Sequence, residues 1–463
     1  MSSSKVSTLP RHPLESTVRA RLDHVLDMLV DAVCIVDPDG HFVYASAACE
    51  RIFGYKPAEL IGRQMMELIH PEDRMRTMDA VRTIMGGTPL PHFENRYIRK
   101  DGSVVHVMWA ARWSDQDGVR IAVARDVTEL KRSAAVQNAL LAISEAAHAA
   151  TDLGDLFRHI HTIIGNLLPA KNFFVALYEK ESEAISFPYF VDEHDSTPPK
   201  LSLDSGSLTG QIIRSGEALL LTPETAQAMP PKVGRTMGRK ALDWLGVPLA
   251  THERTIGALV VQSYSGETRY TAEHKQLLQF VSAQVATAIE RKQTESRLRH
   301  IAQHDALTDL PNRKLFGERL RAALADAPAK NETPALLYID LDHFKCINDT
   351  LGHDVGDRLL QEVAERIASC VGETGTVGRM GGDEFVVLLT GLTTPRQAAI
   401  VAEKILAALY WPFETLEGPM AITASIGISL YHGHGDAQQL LREADNAMYA
   451  AKKAGGNRCW SVG

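Results

Sequence analysis

Residues 378–389 read GRMGGDEFVVLL, a short stretch in which two glycines are followed by two acids and an apolar, strand-like run. Placing the charges of Asp383 and Glu384 beside such a run is costly unless something compensates them. Glycines without a Cβ permit the tight turn and positive φ of a hairpin. The stretch therefore predicts either a hairpin with solvated acids at its tip or a hairpin that holds a cation.

Asp340 lies near the end of a second apolar run, PALLYIDLD (334–342). If the two runs form neighbouring strands, Asp340 and Asp383 converge on one edge of a sheet. Carboxylate oxygens without a nearby His or Cys suit Mg²⁺ rather than zinc, with Mn²⁺ as the alternative metal. Because Mg²⁺ is usually held by one or two carboxylates together with substrate phosphates, this sparse set of ligands predicts a magnesium site. The same D-x-D spacing also occurs in ordinary loops.

The segment from Leu341 to Lys345 is predicted to turn from this strand into a helix. The first N–H groups of a helix point at a bound phosphate, and the helix dipole favours its charge. Lys345 adds a mobile positive charge. Gly381 and Gly382 lack Cβ atoms, so the hairpin backbone can lie close against a ligand. These features predict binding of a phosphorylated substrate.

Asn348 and Asp357 lie on either side of a predicted helix break at Gly352-His353. An Asp carboxylate can accept from guanine N1–H and N2–H₂ together, and an Asn amide can complement it at the same edge. The pair therefore favours GTP over ATP. Two simpler interpretations stay open: Asp357 caps a helix N-terminus, and Lys452, near a helix end, only complements the helix dipole.

The whole chain has 463 residues, a net charge of −8 and a pI near 6.1. At roughly 150 residues per domain the length predicts about three domains, and the acidic balance argues against general binding to nucleic acid. Five cysteines without C-x-x-C spacing suit neither a disulfide framework nor a zinc site, and they fit a reducing cytoplasm. No apolar run reaches the roughly 18–20 residues that span a bilayer, so we expect a cytoplasmic protein without membrane insertion.

The first block of the chain contains strand-like pieces and D-G turns at Asp39-Gly40 and Asp101-Gly102, which favour hairpins. This pattern predicts a small antiparallel sheet wrapped by helices. The runs IVDPDGHFVYAS (35–46) and VARDVTELK (123–131) resemble a PAS domain. The resemblance implies sensing or dimerisation rather than catalysis.

The second block, from about residue 135 to residue 291, opens and closes with a helix. Its pieces GQIIRSGEALLL (210–221), LGVPLAT (245–251) and IGALVVQSY (256–264) resemble a GAF domain, a second sensory fold. None of the five cysteines falls in this block, so we expect no covalently attached bilin. The ligand that either sensory block binds is unknown from the sequence.

A long helix is predicted from Glu273 onward, and its apolar residues form an approximate heptad seam. The seam consists of Leu278, Val281, Val285, Ala288, Leu298 and Ile301. One interpretation is an amphipathic helix that caps its own domain. The other is a parallel coiled coil that carries a dimer signal forward.

Four motifs occur in order in the third block: DALTDLPNR (305–313), DLDHFKCINDTLGHDVGD (340–357), RMGGDEF (379–385) and ADNAMYAAKKAGGN (444–457). Together they resemble the GGDEF family of diguanylate cyclases. The resemblance implies a fold like the palm of polymerases and class III nucleotidyl cyclases. It also implies a homodimer in which each protomer holds one GTP, and which condenses two GTP into cyclic di-GMP with release of two pyrophosphates. The required dimer favours the coiled-coil interpretation of the long helix.

The resemblance implies a role for each matching residue. Asp340, the carbonyl of Leu341 and Asp383 would bind Mg²⁺, and Asp383 would also accept the proton of the attacking 3′-hydroxyl, with Glu384 alongside. The implied substrate contacts are Phe344, Lys345 and Lys452 at the β- and γ-phosphates, Asn348 and Asp357 at guanine, His353 near the nucleoside, and Gly381 and Gly382 as clearance for the ligand.

The chain departs from the family pattern at two places. Many members carry an inhibitory Arg-x-x-Asp product site where this chain reads GETG (372–375), so we expect no product-inhibition site here. Gly456 stands where a basic residue is often found, which leaves Lys452 as the clearer phosphate contact. Two rival functions stay open: a GTP-binding GGDEF module that only regulates, and a synthase of a mixed cyclic dinucleotide.

We therefore expect an α+β (mixed α/β) protein of three domains joined by signalling helices. The PAS and GAF domains should each consist of an antiparallel sheet with helices, and the GGDEF domain of a palm-like sheet with helices. The expected order is a disordered leader (1–17), a PAS domain (18–130), a GAF domain (131–292), a linker helix (293–304) and a GGDEF domain (305–463).

Overall fold

The computed structural model describes residues 24–225, 239–266, 268–330, 332–372, 375–392, 394–415 and 418–461. The predicted leader lies outside the described residues, as do positions 373 and 374 of the GETG stretch. The chain divides into two compact units, Met1–Ile289 and Glu290–Gly463. None of the described helices combines the length and the apolar character that crossing a bilayer requires.

The N-terminal unit begins with a five-stranded antiparallel sheet in the order β2-β1-β5-β4-β3. Its strands are β1 (Ala32–Val36), β2 (Phe42–Ala45), β3 (Leu90–Ile98), β4 (Val104–Ser114) and β5 (Val119–Asp126). The helices α1 (Ala48–Phe53), α2 (Pro57–Leu60) and α3 (Arg74–Met85) pack against it. The two D-G turns join β1 to β2 and β3 to β4, with φ of 93° at Gly40 and 84° at Gly102, which confirms both predicted hairpins.

The cysteines of the chain are all free thiols. Cys34 and Cys49 are both buried in the core of this first domain, with their sulfur atoms 3.6 Å apart. That separation is far longer than the roughly 2.05 Å of a disulfide bond. The pair therefore packs as two small apolar side chains, as free cysteines commonly do.

A second antiparallel sheet follows, with six strands in the order β8-β7-β6-β11-β10-β9. These strands are β6 (Asn172–Glu179), β7 (Ala184–Val191), β8 (Leu201–Ser202), β9 (Leu219–Leu221), β10 (Asp243–Ala250) and β11 (Thr255–Ser263). The associated helices are α4 (Thr128–Ala149), α5 (Leu153–Leu167), α6 (Leu208–Ser215) and the first part of α7 (Ala272–Gln303).

Helix α7 uses the predicted heptad seam in two ways. Leu278, Val281, Val285 and Ala288 are at most 4% exposed and belong to the core beneath the second sheet. Leu298 and Ile301, further along the helix, are 62% and 61% exposed. The interpretation of α7 as a helix that caps its own domain is therefore confirmed for the first four residues. The interpretation that these four residues form a coiled-coil seam with a second helix is wrong.

The C-terminal unit contains a five-stranded sheet in the order β13-β14-β12-β17-β18, in which only β17 and β18 pair in parallel. Its strands are β12 (Ala335–Leu341), β13 (Gly375–Gly381), β14 (Glu384–Leu389), β17 (Ala424–Leu430) and β18 (Arg458–Ser461), with β15 (Phe413–Thr415) and β16 (Gly418–Met420) forming a separate pair. Its helices are α8 (Arg313–Lys330), α9 (Phe344–Leu351), α10 (His353–Val371), α11 (Pro395–Tyr410) and α12 (Ala437–Lys453).

Strand β12 lies in the middle of this sheet and all seven of its residues are buried. Leu337 and Ile339 pack into a core formed with α10 and α11, whereas Leu336 and Tyr338 pack into a second core formed with α8 and α12. A strand covered on both faces needs a continuous apolar run, which the sequence of β12 provides. The acids of the PALLYIDLD run are thereby confined to the end of the strand.

Gly427 in β17 lies where α12 crosses the sheet, so a larger residue at this position should lower stability. A Cβ at this position would overlap the backbone of α12 at Ala444 and Met448, which cannot yield without a shift of the whole helix. We expect Gly427→Ala to lower the free energy of unfolding of the C-terminal unit by about 1–3 kcal/mol. Hydrogen exchange in peptides of β17 and α12, measured by mass spectrometry, should become at least tenfold faster.

The matched control is Gly317→Ala in α8, where the nearest atom to a new Cβ is 3.9 Å away. Alanine is the better helix former, so exchange in this variant should be unchanged or slower. Wild-type exchange in Gly427→Ala would contradict the prediction.

Candidate active site

The predicted acids meet at one edge of the sheet in the C-terminal unit. β12 and β14 pair in a register that places Asp340 opposite Glu384. Asp383 lies in the turn between β13 and β14, and its carbonyl accepts a hydrogen bond from the Leu341 N–H at 3.3 Å. The prediction that the two apolar runs form neighbouring strands is confirmed. Asp340, Leu341 and Asp383 consequently stand together where β12 ends.

Lys452 supplies a countercharge at this edge. Its Nζ, on the last turn of α12, lies 2.6 Å from Oδ1 of Asp340. Asp340 is only 8% exposed. Burial raises the pKa of Asp340; the Lys452 ammonium lowers it in part, and repulsion from Asp383 and Glu384 raises it further. Lys452 therefore does more than complement the helix dipole.

The residues at the edge fit a magnesium ion. Among the described residues, no group of three or more His, Cys, Asp or Glu side chains comes together as a metal-binding cluster. Mg²⁺ does not need such a cluster, since one or two carboxylates with water and substrate phosphates suffice. Asp340, Asp383 and the Leu341 carbonyl are hard oxygen donors of this kind. The crowding of negative charge, which already draws an ammonium onto Asp340, also favours a cation here.

Glu384 is held by a hydrogen bond from the same strand that carries Asp340. The Tyr338 hydroxyl donates to Oε2 of Glu384 at 2.9 Å. Burial raises the pKa of Tyr338, so the hydroxyl remains a donor at neutral pH. This contact fixes the Glu384 carboxylate beside β12 and leaves Asp383 as the acid of the hairpin turn.

Two backbone features border the acids. Gly381 and Gly382 have φ of 133° and 57°, and a Cβ built at either position meets no described atom within 4 Å. Phe344 begins α9 three residues after Leu341, with its side chain in the core, and Lys345 is exposed. The N–H of Cys346, the third residue of α9, donates to the His343 carbonyl at 3.0 Å, whereas those of Phe344 and Lys345 have no acceptor within the helix. Open space and helix N-terminal amides of this kind suit a phosphate group.

The helix break that separates Asn348 from Asp357 is confirmed. α9 ends at Leu351, Gly352 adopts φ of 88°, and α10 begins at His353, which is exposed. The interpretation of Asp357 as a helix cap is wrong, because Asp357 is the fifth residue of α10 and Gly352 occupies the cap position. Asp357 is exposed and free to meet a ligand.

Gly356 determines how close Asn348 can lie to α10. A Cβ at position 356 would overlap the Asn348 amide oxygen. The Asn348 side chain therefore packs against the backbone of Gly356, the residue that precedes Asp357 in the chain. The assignment of this pair to guanine stays a prediction.

Arg379 is a residue of this site whose role the sequence analysis missed. Its Nε and Nη2 donate to the carbonyl of Gly382 at 3.0 and 2.7 Å, and its Nη1 donates to Oδ1 of Asp305 at 2.7 Å. Asp305 also accepts from the N–H and hydroxyl of Thr308. Burial alone would raise the pKa of Asp305, but these hydrogen bonds hold it below its usual range. The glycine hairpin is thereby tied to the segment that follows α7.

Asp342, the second acid of the DLD motif, is a structural residue. Its carboxylate accepts from the hydroxyls of Thr423 and Ser425, both at 2.8 Å, and from the N–H of Asn457 at 3.0 Å. A Cβ at Gly456, whose φ is 70°, would lie 2.9 Å from Oδ2 of Asp342. Gly456, the departure from the family pattern, is therefore the residue that lets the final loop pack against Asp342.

Three family models match the chain in the order that the sequence predicted. Residues 42–124 match the PAS fold, residues 150–290 match the GAF domain, and residues 302–458 match the model described as diguanylate cyclase, GGDEF domain. The chain therefore carries a GGDEF domain of the diguanylate cyclase family, preceded by a PAS domain and a GAF domain.

Relatives from Pseudomonas aeruginosa are similar to the GGDEF part of the chain. The diguanylate cyclase TpbB is 46% identical over 158 residues, which are 34% of this chain and 36% of TpbB. The bifunctional diguanylate cyclase/cyclic di-GMP phosphodiesterase MucR is 44% identical over 174 residues, which are 37% of this chain and 25% of MucR. A solved structure of the TpbB GGDEF domain shows 42% identity and a TM-score of 0.34, covering 35% of this chain and 94% of that one. The chain thus spans only about a quarter to a third of the curated relatives.

The contacts of Arg379 generate a prediction about the hairpin. Arg379→Lys keeps the charge, but an ammonium cannot reproduce the planar fork that joins Gly382 to Asp305. We expect the Leu341 amide, which donates to Asp383, to exchange its hydrogen at least tenfold faster in this variant. Hydrogen exchange followed by NMR or mass spectrometry measures the effect.

Arg366→Lys is the matched control. Arg366 also donates to backbone carbonyls, those of Ala408 and Pro412, but at another place in the same unit. That control should leave exchange at Leu341 unchanged. Equal exchange in wild type and Arg379→Lys would show that the fork does not hold the hairpin.

Proposed function

We propose that this protein is a diguanylate cyclase that condenses two GTP into cyclic di-GMP and two pyrophosphates. The observation that carries the proposal is the meeting of Asp340 and Asp383 at the end of β12, beside an open glycine hairpin. The GGDEF family match and the similarity to TpbB support the same activity. The free cysteines suit a cytoplasmic location, where GTP is available.

The reaction consists of two equivalent phosphoryl transfers. In each, the 3′-oxygen of one GTP bonds to the α-phosphorus of the other, the bond from that phosphorus to the β-phosphate bridge breaks, and pyrophosphate leaves. The proton of the 3′-hydroxyl passes to a base. Asp383, in the hairpin turn, would take this proton with Glu384 alongside; the hydrogen bond that Glu384 already accepts from Tyr338 supports this choice.

Asp340, Asp383 and the Leu341 carbonyl would hold Mg²⁺, which supplies charge neutralisation and orientation of the phosphates when it is bound. Lys452 contributes a positive charge next to the same acids. The N–H groups at the start of α9 and the exposed Lys345 add donors for the terminal phosphates. Gly381 and Gly382 leave room for the nucleotide.

Selection of guanine is assigned to Asn348 and Asp357. The Asp357 carboxylate accepts from two guanine donors that adenine does not present together, and the Asn348 amide complements it. His353, the first residue of α10, would lie close to the nucleoside. A GTP-specific enzyme is therefore favoured over a synthase of mixed cyclic dinucleotides.

The chemistry requires two GTP molecules on facing domains, so we propose a homodimer. Leu298 and Ile301 on α7 are exposed and spaced for a parallel helix pair. The PAS domain precedes α7 and the GAF domain includes its first part, so both domains would bias how two such helices pair. Sensory regulation of the cyclase is part of the proposal.

Product identity tests the proposed activity. The full-length protein is incubated with Mg²⁺ and an equal mixture of GTP and ATP, and the products are identified by mass spectrometry over a range of protein concentrations. We expect cyclic di-GMP alone, with a specific activity that falls on dilution as the dimer dissociates. Asp383→Ala should lose at least about a hundredfold in rate, because it removes both a ligand and the base.

Glu365→Ala, which removes an exposed acid on α10, is the control and should retain full activity. Tight GTP binding without product would favour a regulatory module. A product that contains AMP would favour the mixed synthase, and wild-type activity in Asp383→Ala would refute the assigned roles.

A second prediction concerns Gly356, against which the Asn348 side chain packs. Gly356→Ala adds a methyl group where the Asn348 amide now lies, so the amide must leave its present position. We expect GTP to bind at least tenfold more weakly, with little loss in binding of a ligand that lacks the base, such as inorganic triphosphate. Isothermal titration calorimetry compares the two ligands, and Gly317→Ala is the control. Equal weakening for both ligands would argue against a contact with the base.

A further inference from the structure

Lys452 contacts one of the acids at the end of β12 directly. Its Nζ lies 2.6 Å from Oδ1 of Asp340. The side chain of Asp340 is only 12% exposed, whereas that of Lys452 is 44% exposed. The carboxylate is thus enclosed by the protein, and the lysine is the partner that solvent and a ligand can reach.

The ammonium uses an oxygen that a metal ion would also use. Mg²⁺ binds its oxygen ligands at roughly 2.0–2.1 Å and requires near-ideal octahedral directions. A metal ion on Oδ1 of Asp340 would lie at most about 5 Å from Nζ of Lys452 if the lysine kept its place. Two cations so close repel each other, and they do so more strongly in a partly buried site than in water. Asp340 therefore cannot hold both cations well.

Several negative charges act on this ion pair. Asp383 and Asp342 attract the Lys452 ammonium in addition to Asp340. Asp340 is at the same time repelled by Asp383 and Glu384. The lysine therefore relieves a crowding of carboxylates, which is also what a divalent cation would do at this edge. Removal of the lysine charge leaves these acids to a metal ion alone.

Other cations of the same region are directed elsewhere. Lys453, the next residue of α12, places its Nζ 4.5 Å from the centre of the Tyr449 ring. Arg458 donates from Nε to the carbonyl of Gly456 at 3.1 Å. Gly456 itself has no side chain, at a position where the family often has a basic one. In the described part of the chain from α12 onward, Lys452 is therefore the cation that meets the acids.

We propose that Lys452 competes with the divalent metal for Asp340, and that a polyphosphate ends this competition by drawing the ammonium onto its own oxygens. The lysine has a flexible stem and is on the last turn of α12, so its head group can move without a shift of the helix. Phosphate oxygens are strong, charged acceptors for an ammonium. Metal and nucleotide would therefore bind cooperatively, each raising the affinity for the other by the same factor. The inference rests on the proposed function, because it takes GTP as the polyphosphate.

Metal binding in the absence of nucleotide tests the competition. Mn²⁺ is titrated into the full-length protein, and the relaxation rate of water protons reports the bound ion. We expect Lys452→Met to bind Mn²⁺ at least about fivefold more tightly than the wild type, because the competing ammonium is gone. A variant that merely disturbs the structure would bind the ion more weakly, so the sign of the change is decisive.

Lys453→Met is the matched control, because it removes a charge from the next position of the same helix. It should change the affinity for Mn²⁺ by less than about twofold. Should Lys452→Met fail to fold, as judged by circular dichroism, Lys452→Gln replaces it. Its neutral amide should also raise the affinity for Mn²⁺, by at least about threefold.

Nucleotide binding tests the second half of the proposal. A GTP analogue with a methylene bridge between the α- and β-phosphates, which cannot be turned over, is titrated together with Mn²⁺ by calorimetry. Lys452→Met should bind this analogue at least about tenfold more weakly, opposite to its effect on the metal alone. Unchanged or weaker binding of Mn²⁺ alone by the Lys452 variant, or unchanged binding of the analogue, would overturn the proposal.

Failure of the proposed cyclase activity is a separate result. Tighter Mn²⁺ binding by Lys452→Met, in a protein whose wild type makes no cyclic di-GMP, would support the competition and refute the cyclase. Formation of cyclic di-GMP by the wild type, with unchanged Mn²⁺ binding in the variant, would refute the competition alone.

Discussion

The burial of β12 on both faces is the constraint on which the candidate site depends. Two apolar layers take up the side chains of this strand, so a charged group is tolerated only where the strand leaves the sheet. Asp340 lies at that point and is still largely buried, which is why it draws the ammonium of Lys452 from another element. The charged residues are therefore concentrated at this edge of the sheet because the apolar cores on both faces of β12 exclude them elsewhere.

The sequence predicted the parts of the site that periodicity and glycine placement control. The glycine turn, the two apolar strands and the helix break at Gly352 are local features, and each formed where its own residues favour it. The bridge from Arg379 to Asp305 and the anchoring of Asp342 could not be predicted, because their partners are distant in the chain. The α7 seam was ambiguous for another physical reason: a core-facing stripe and a coiled-coil seam have nearly the same spacing, and only the partner distinguishes them.

The described domains treat buried charge in contrasting ways. In the C-terminal unit each largely buried charge at the site has an opposite charge or several hydrogen bonds: Asp340 has Lys452, and Arg379 has Asp305 and a carbonyl. In the PAS domain the polar groups Asn95 and Thr77 are likewise bonded to neighbours. Arg120 stands apart, because it is buried, contacts a thioether and has no ion pair among the described residues. A fully satisfied network fixes one arrangement of its members, whereas a buried charge without an opposite charge leaves part of its desolvation cost uncompensated.

The hydrogen bonds of Arg379 connect two segments with different tasks, the hairpin that carries Asp383 and the segment at the end of α7. Asn312 adds to the connection, because its N–H and its side-chain amide donate to the carbonyls of Gln303 and Ala302 in the last turn of α7. A thermodynamic coupling between two sites has the same size in both directions. If α7 influences nucleotide binding through this bridge, a bound nucleotide must influence α7 by the same free energy.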